Sequence, residues 1–205
     1  MTISRLTLPL LAPLLLALAA CGINSVPRAE ETARAKWADV EAAYQRRANL
    51  IPNLVETVRG FADQEREVLI GVADARARAS RVEISAEDVG DPEAMRQFAE
   101  AQGALGSSLG RLLVTMEAYP ELRSSELFAN LQSQLEGTEN RIAIAIRDYN
   151  EAVRDYNTRL RTFPESIGAS IIHGAEPMAL YEATTPGAEN APTVDFSRDE
   201  GGNAQ

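Results

Sequence analysis

In 205 residues the chain has one cysteine, one histidine and one tryptophan, and aromatic residues make up only 5%. A single thiol excludes an internal disulfide. So few imidazoles and thiols leave zinc and di-iron sites without ligands, for there is no His-x-x-x-His, no Glu-x-x-His pair and no Cys cluster. Positive charge is also scarce. Lys and Arg number 20 against 30 Asp and Glu, a formal net charge of -10. That balance argues against wrapping nucleic acid, and against holding anionic lipid by charge alone. No nucleophile, histidine and acid can be assembled into a triad, since His173 lies far down the chain in a loop-like tail. Gly103, Gly106 and Gly110 sit inside a helical pattern and not after a strand, so they form no phosphate cradle. The reading is of a non-enzymatic chain with no catalytic residue, no metal and no cofactor.

Long apolar runs are missing as well. The longest, Leu6 to Ala20, falls short of the ~20 residues a membrane span needs and is interrupted by Pro9 and Pro13. With Arg5 before it, residues 1–20 read as a signal peptide. Its end is more specific. Leu18-Ala19-Ala20-Cys21-Gly22 resembles a bacterial lipobox, in which small residues fit the signal peptidase and the thiol takes a diacylglycerol. The odd cysteine thus has a role as lipid attachment point, and an acylated, palmitate-bearing Cys21 becomes the first residue. Acyl chains anchor because each buried CH₂ contributes ~0.8 kcal/mol. The expected location is the periplasmic side of a bacterial membrane. Gly22, where Asp would signal retention, favours the outer one.

Good helix formers (Ala, Leu, Glu, Arg and Gln) dominate the chain beyond Cys21. Residues 21–28 read as a lipidated tether. From Ala29 to Val82 apolar residues recur at three and four: Trp37, Val40, Tyr44, Ala48, Ile51, Val55, Val58 and Ala62, then, after a break at Glu65, Leu69, Val72, Ala75, Ala79 and Val82. Pro52 removes the bond to the Ala48 carbonyl and should kink this helix, with Asn49 or Asn53 as partners for the freed groups. Asp91-Pro92-Glu93 opens a second helix running to about Ala118, with Met95, Phe98, Leu105, Leu109, Leu112 and Met116 on its apolar side. Ala99, Gly103, Gly106 and Gly110 form a small-residue flank expected to allow close packing. A third helix, capped by Ser124 or Ser125, carries Phe128, Leu131, Leu135, Thr138, Ile142, Ala145, Tyr149, Ala152 and Tyr156 and ends at Phe163-Pro164. Within it Arg147-Asp148-Tyr149-Asn150 is repeated seven residues on as Arg154-Asp155-Tyr156-Asn157, which sets two tyrosines on one seam; their hydroxyls should find polar partners across the bundle. The fold expected is all-α, an antiparallel coiled-coil-like bundle of three long helices over 29–165. Residues 166–196 should dock in part, with room for a short helix near Pro177, and 197–205 have the composition of a disordered tail.

Two stretches together resemble the LemA family: Tyr44-Gln45-Arg46-Arg47-Ala48-Asn49-Leu50-Ile51-Pro52-Asn53-Leu54-Val55-Glu56, and Leu135-Glu136-Gly137-Thr138-Glu139-Asn140-Arg141-Ile142 continuing to Phe163-Pro164. Tyr119-Pro120-Glu121-Leu122 and Ala191-Pro192-Thr193-Val194-Asp195-Phe196 are similar to family features too. The resemblance implies an all-α antiparallel bundle held at a membrane outside the cytoplasm, and no established biochemical activity. Many family members carry an N-terminal transmembrane helix where this chain has its lipobox.

Arg46, Arg47, Asn49, Asn53 and Glu56 cluster around Pro52 and form a candidate patch for an envelope protein partner. The function expected is a membrane-anchored scaffold or interaction module. Two alternatives stand beside it: an accessory hydrolase using carboxylates such as Glu56, Glu136 and Glu139, and a membrane-remodelling or envelope-stress protein.

Overall fold

The computed structural model describes residues 24–85 and 88–182. Cys21, the lipobox residues Leu18, Ala19 and Ala20, Gly22 and the tail after 182 lie outside the described residues. The described chain is all-α and contains no strand. Six helices are present in it: α1 (Ser25–Arg59), α2 (Arg66–Ala79), α3 (Pro92–Met116), the single turn α4 (Pro120–Arg123), α5 (Glu126–Arg161) and the short α6 (Glu165–Gly168), which continues as a π turn over Ala169–His173.

The first long helix is two helices. The break falls where the apolar stripe lapses at Glu65, and a 3-10 turn over Asp63–Glu65 reverses the chain. The bundle therefore has four main helices in up-down-up-down order, not three. It also starts earlier than the expected tether allows. Ser25 is already helical, and Pro27 is tolerated because it falls in the first turn, where no intrahelical N–H is needed.

Pro52 does not end α1, which runs on through it to Arg59. The carbonyl it orphans is that of Ala48. The partner comes from neither Asn49 nor Asn53. Arg76 of α2 donates Nε–H to it at 2.9 Å. A missing backbone bond has thus become a cross-helix bond tying α2 to α1, which answers the demand that buried backbone groups be paired.

The capping signals hold at α3: Asp91 Oδ1 accepts from the amides of Glu93 and Ala94. At α5 Ser125 occupies the N-cap, though its hydroxyl makes no cap bond. On the small-residue flank of α3, Ala99 is buried in the core, but Gly106 and Gly110 do not serve close packing. A Cβ at Gly110 would meet nothing within 4 Å, and one at Gly106 only the Arg47 guanidinium at 4.0 Å.

Buried residues form two clusters. One holds Val26, Trp37, Tyr44, Phe98, Tyr149 and Tyr156 near the start of α1. The other holds Ile51, Val58, Leu69, Leu112, Phe128 and Leu135 toward the far end. Nearly every seam residue anticipated for α1, α3 and α5 is buried in one of them; Ala48 and Ala152 are half-buried.

The Arg76 contact makes a quantitative expectation. Arg76→Met leaves the Ala48 carbonyl unpaired and should lower unfolding free energy by about 1–3 kcal/mol. In a Pro52→Ala background, where residue 52 regains its N–H, the same substitution should cost only a few tenths. Equal costs in the two backgrounds, by denaturant titration, would show that Arg76 does not act through that carbonyl.

Candidate functional site

The patch anticipated around Pro52 divides in two. Arg46, Asn49, Asn53 and Glu56 are exposed and, at 100° per residue, fall within one face of α1. Asn49 accepts from Gln45, and Glu56 pairs with Arg59. Arg47 leaves the patch altogether. It points into the bundle and is only 4% exposed. Its Nη1 donates to the Glu139 carboxylate at 3.1 Å, and its Nη2 to the Gln102 side chain at 2.7 Å and backbone carbonyl at 3.2 Å. The guanidinium carbon sits 4.9 Å from the centroid of the Tyr44 ring. Its Nε alone finds no partner among the described residues. A buried guanidinium is tolerable only with such pairing, since desolvating a charge is costly. The role is structural: Arg47 lies between the two apolar clusters and joins α1 to α3 and α5.

The carboxylates considered for acid–base work are engaged separately. Glu139 receives Arg47, Glu136 accepts from Gln132, and Glu56 pairs with Arg59. Sequence reasoning missed a different pair. Glu41 borders a cleft of about 490 Å³ lined also by Gln45, Ser80, Glu83 and Gln102. Partial burial raises its carboxyl above the ordinary range, and the nearby Glu83 adds to the effect. No local motif marks these two, because they come from α1 and from the loop after α2. Among the described residues no group of His, Cys, Asp and Glu is placed to hold a metal. His173 is exposed at the end of the π turn.

The seven-residue duplication has a definite use. Asn150 donates to the Tyr181 carbonyl at 2.9 Å and accepts from the Tyr181 amide at 2.8 Å. Asn157 does the same to Met178, at 2.9 and 3.0 Å. Tyr149 donates to the Ala179 carbonyl and Tyr156 to that of Glu176, at 2.8 and 2.9 Å. The tyrosine partners are thus backbone carbonyls of the C-terminal segment and not side chains across the bundle. Two identical clasps hold a strap over residues 174–182, which has neither helix nor strand; the short extra helix allowed for in the C-terminal segment lies at Glu165–His173 and not near Pro177. Gly174, at φ 55, makes the turn into the strap that a side chain would resist.

The spacing has a physical basis. Seven helical residues rise ~10.5 Å, and three residues of an extended, polyproline-like segment rise ~9.3 Å. Each clasp therefore meets the strap one three-residue step further along. The same step turns Ala175, Met178 and Tyr181 inward. Tyr181 enters an aromatic cluster with Trp37, Tyr44 and Phe98, and its hydroxyl lies 2.7 Å from that of Tyr44. Trp37 in turn donates Nε1–H to the Ile84 carbonyl, fastening the loop after α2. Five of the few aromatic residues are gathered here, with Phe98 and Tyr149 edge to face on Trp37.

A four-helix bundle whose last long helix clasps an extended backbone through a repeated Tyr-Asn pair defines the all-α class of this chain. The LemA family model matches residues 36–196, and the chain belongs to the LemA family. It is similar to magnetosome protein MamQ 2 of Paramagnetospirillum magneticum, 27% identical over 157 residues, covering 69% of this chain and 58% of the relative. Magnetosome protein MamQ of Magnetospirillum gryphiswaldense is 28% identical over 150 residues, 65% and 55% of the two chains. Protein LemA of Metamycoplasma hominis is 25% identical over 124 residues, 60% and 52%. The chain thus spans somewhat more than half the length of these curated relatives.

The clasps predict residue-specific effects. Asn150→Ala should deprotect the Tyr181 amide, and Asn157→Ala that of Met178, by about 10–100-fold in hydrogen exchange, the equivalent of ~1.4–2.8 kcal/mol. Asn→Asp should be at least as damaging, since a carboxylate cannot donate and faces a carbonyl. Unaltered protection of both amides would refute the arrangement.

All five tyrosines titrate above the ordinary phenol range. Burial is the largest cause for Tyr44, Tyr149, Tyr156 and Tyr181. For Tyr119 it is the hydrogen bond to the Glu65 carboxylate. A folded-state pKa above the unfolded one stabilises at pH below the unfolded value, ~10, and that contribution is lost as pH rises beyond it. Absorbance at 295 nm should therefore show little tyrosinate near pH 10 and an abrupt rise with unfolding at higher pH. Smooth titration of all five at pH 10 with the fold intact would contradict the burial.

Proposed function

We propose that this LemA-family chain is a non-enzymatic scaffold of the bacterial envelope, fixed to the membrane by lipid on Cys21 and presenting its helical bundle outside the cytoplasm. The observation that carries the reading is the double clasp. The most elaborate polar constellation in the described chain binds peptide backbone, through side-chain amides and phenols committed to hydrogen bonds with it. Arg47, the residue with the most unusual environment, is likewise committed to cross-helix bonds. Family membership and the similarity to proteins named LemA and MamQ support a membrane-associated role. No described helix is long and apolar enough to cross a bilayer. The membrane connection proposed lies in the segment before Asn24. Within it, the lipobox-like Leu18-Ala19-Ala20-Cys21 is the chemistry available. Gly22 points to the outer membrane. The exposed face of Arg46, Asn49, Asn53 and Glu56 is the surface offered to a partner protein.

The test is direct. Palmitate fed to producing cells should label the wild-type chain and not Cys21→Ser, and the substitution should move the domain out of the stably membrane-bound fraction. A Cys21→Ser chain that stays membrane-bound with its N-terminus uncleaved would mean that residues 1–20 are themselves the anchor.

A further inference from the structure

One stretch of surface does not suit a solvated bundle end. Ten large hydrophobic residues are exposed among those described, and four of them, Phe163, Ile167, Ile171 and Ile172, lie within ten consecutive residues. Phe163 is 80% and Ile171 77% exposed. Phe163 sits in the turn before α6, and the three isoleucines belong to α6 and its π continuation, an amphipathic element. Gly168 and Ala169 face inward, with Ala169 in the cluster that contains Val26 and Ala29. Ile167 and Ile171, four residues apart, project on the opposite side. Such a concentration of exposed apolar surface marks an interaction site.

Its position identifies the partner. α1 and α5 run antiparallel, since Arg47 meets Glu139 and Trp37 packs on Tyr149. The C-terminus of α5 therefore lies beside the N-terminus of α1, and α6 packs against α1 there. Cys21 precedes Ser25 by four residues, which reach at most ~14 Å when extended. A lipid on Cys21 thus holds this end of the bundle, and not the other ~50 Å away, at the headgroup layer. The rim carries Arg28 and Arg161, but also Glu31 and Glu165, so the contact is apolar before it is electrostatic.

We infer that Phe163, Ile167, Ile171 and Ile172 enter the headgroup–acyl boundary of the bilayer that anchors Cys21, so that the bundle stands on the membrane at a second point of contact. An isolated acyl tether would leave the domain free to tumble. An apolar foot beside it sets the bundle upright, with the Arg46 and Asn49 face away from lipid. This rests on the Cys21 anchor proposed above.

The full, acylated chain in vesicles of phosphatidylethanolamine and phosphatidylglycerol provides the test. Thioether formation uses up the Cys21 thiol, so a cysteine added by Ile171→Cys is the single site for an environment-sensitive fluorophore; Asn130→Cys, at an exposed position near the start of α5, reports the far end. Lipids with a nitroxide near the headgroup should quench the probe at 171 at least twofold and leave that at 130 within about a tenth of its intensity. Adding Ile167→Glu and Ile172→Glu should abolish the quenching at 171 without releasing the chain. Equal responses at 171 and 130 in a chain that floats with the vesicles would overturn the inference and leave the anchor standing. A blue-shifted but unquenched probe at 171 would mean that protein, a second copy included, covers the patch, and would also overturn it. Label on Cys21 itself would remove the anchor, and this inference with it.

Discussion

Arg47 enters the bundle at the level where its two apolar clusters meet. Below it on α1 the buried residues run to Tyr44, and above it they resume at Ile51. On α3 the same gap holds Gln102, and on α5 Thr138 and Glu139. One guanidinium reaches all of this, with hydrogen bonds to α3 and α5 and its face on the Tyr44 ring. One residue further along α1, the carbonyl orphaned by Pro52 receives Arg76 from α2. All four long helices are thus tied at one layer. An apolar layer could slide by a turn at small cost. A buried charge cannot, because any other register leaves it unpaired.

That register is what makes the rest of the molecule possible. It places Trp37 against Tyr149, which builds the aromatic cluster, and it leaves Tyr181 a slot beside Tyr44 and Phe98. It brings α6 against the start of α1. The strap then returns along α5, opposite in direction, with the Asn150 and Asn157 amides standing in for a missing neighbouring strand. What the bundle presents outward is a polar face near Pro52 and an apolar end beside the start of α1.

The chain is most legible where one local property decides the outcome. The seams of α3 and α5 and the Asp91-Pro92 start depend on period and capping alone. The α1–α2 break is visible as a lapse in the stripe at Glu65, yet nothing local says whether a lapse is a solvated turn of helix or a reversal; packing of α2 on α3 decides that. Arg47 and Arg46 are indistinguishable in type, and only the rotation of α1 against its partners sends one inward. The repeated Tyr-Asn pair is plain as a pattern, but its partner lies about twenty to thirty residues away in a segment with no helical or strand signal of its own.

The helical class, the helix-forming seams, the family and the lipobox-like motif around the single cysteine are all written in the order of the residues, because periodicity, composition and a contiguous motif are one-dimensional properties. Four things needed the packed bundle: which arginine is buried, which side chain satisfies the carbonyl that Pro52 frees, what the duplicated clasps hold, and at which end the exposed isoleucines stand. Each of these is a pairing between residues remote in the chain, and burial gives such a pairing its energy only after the helices have met.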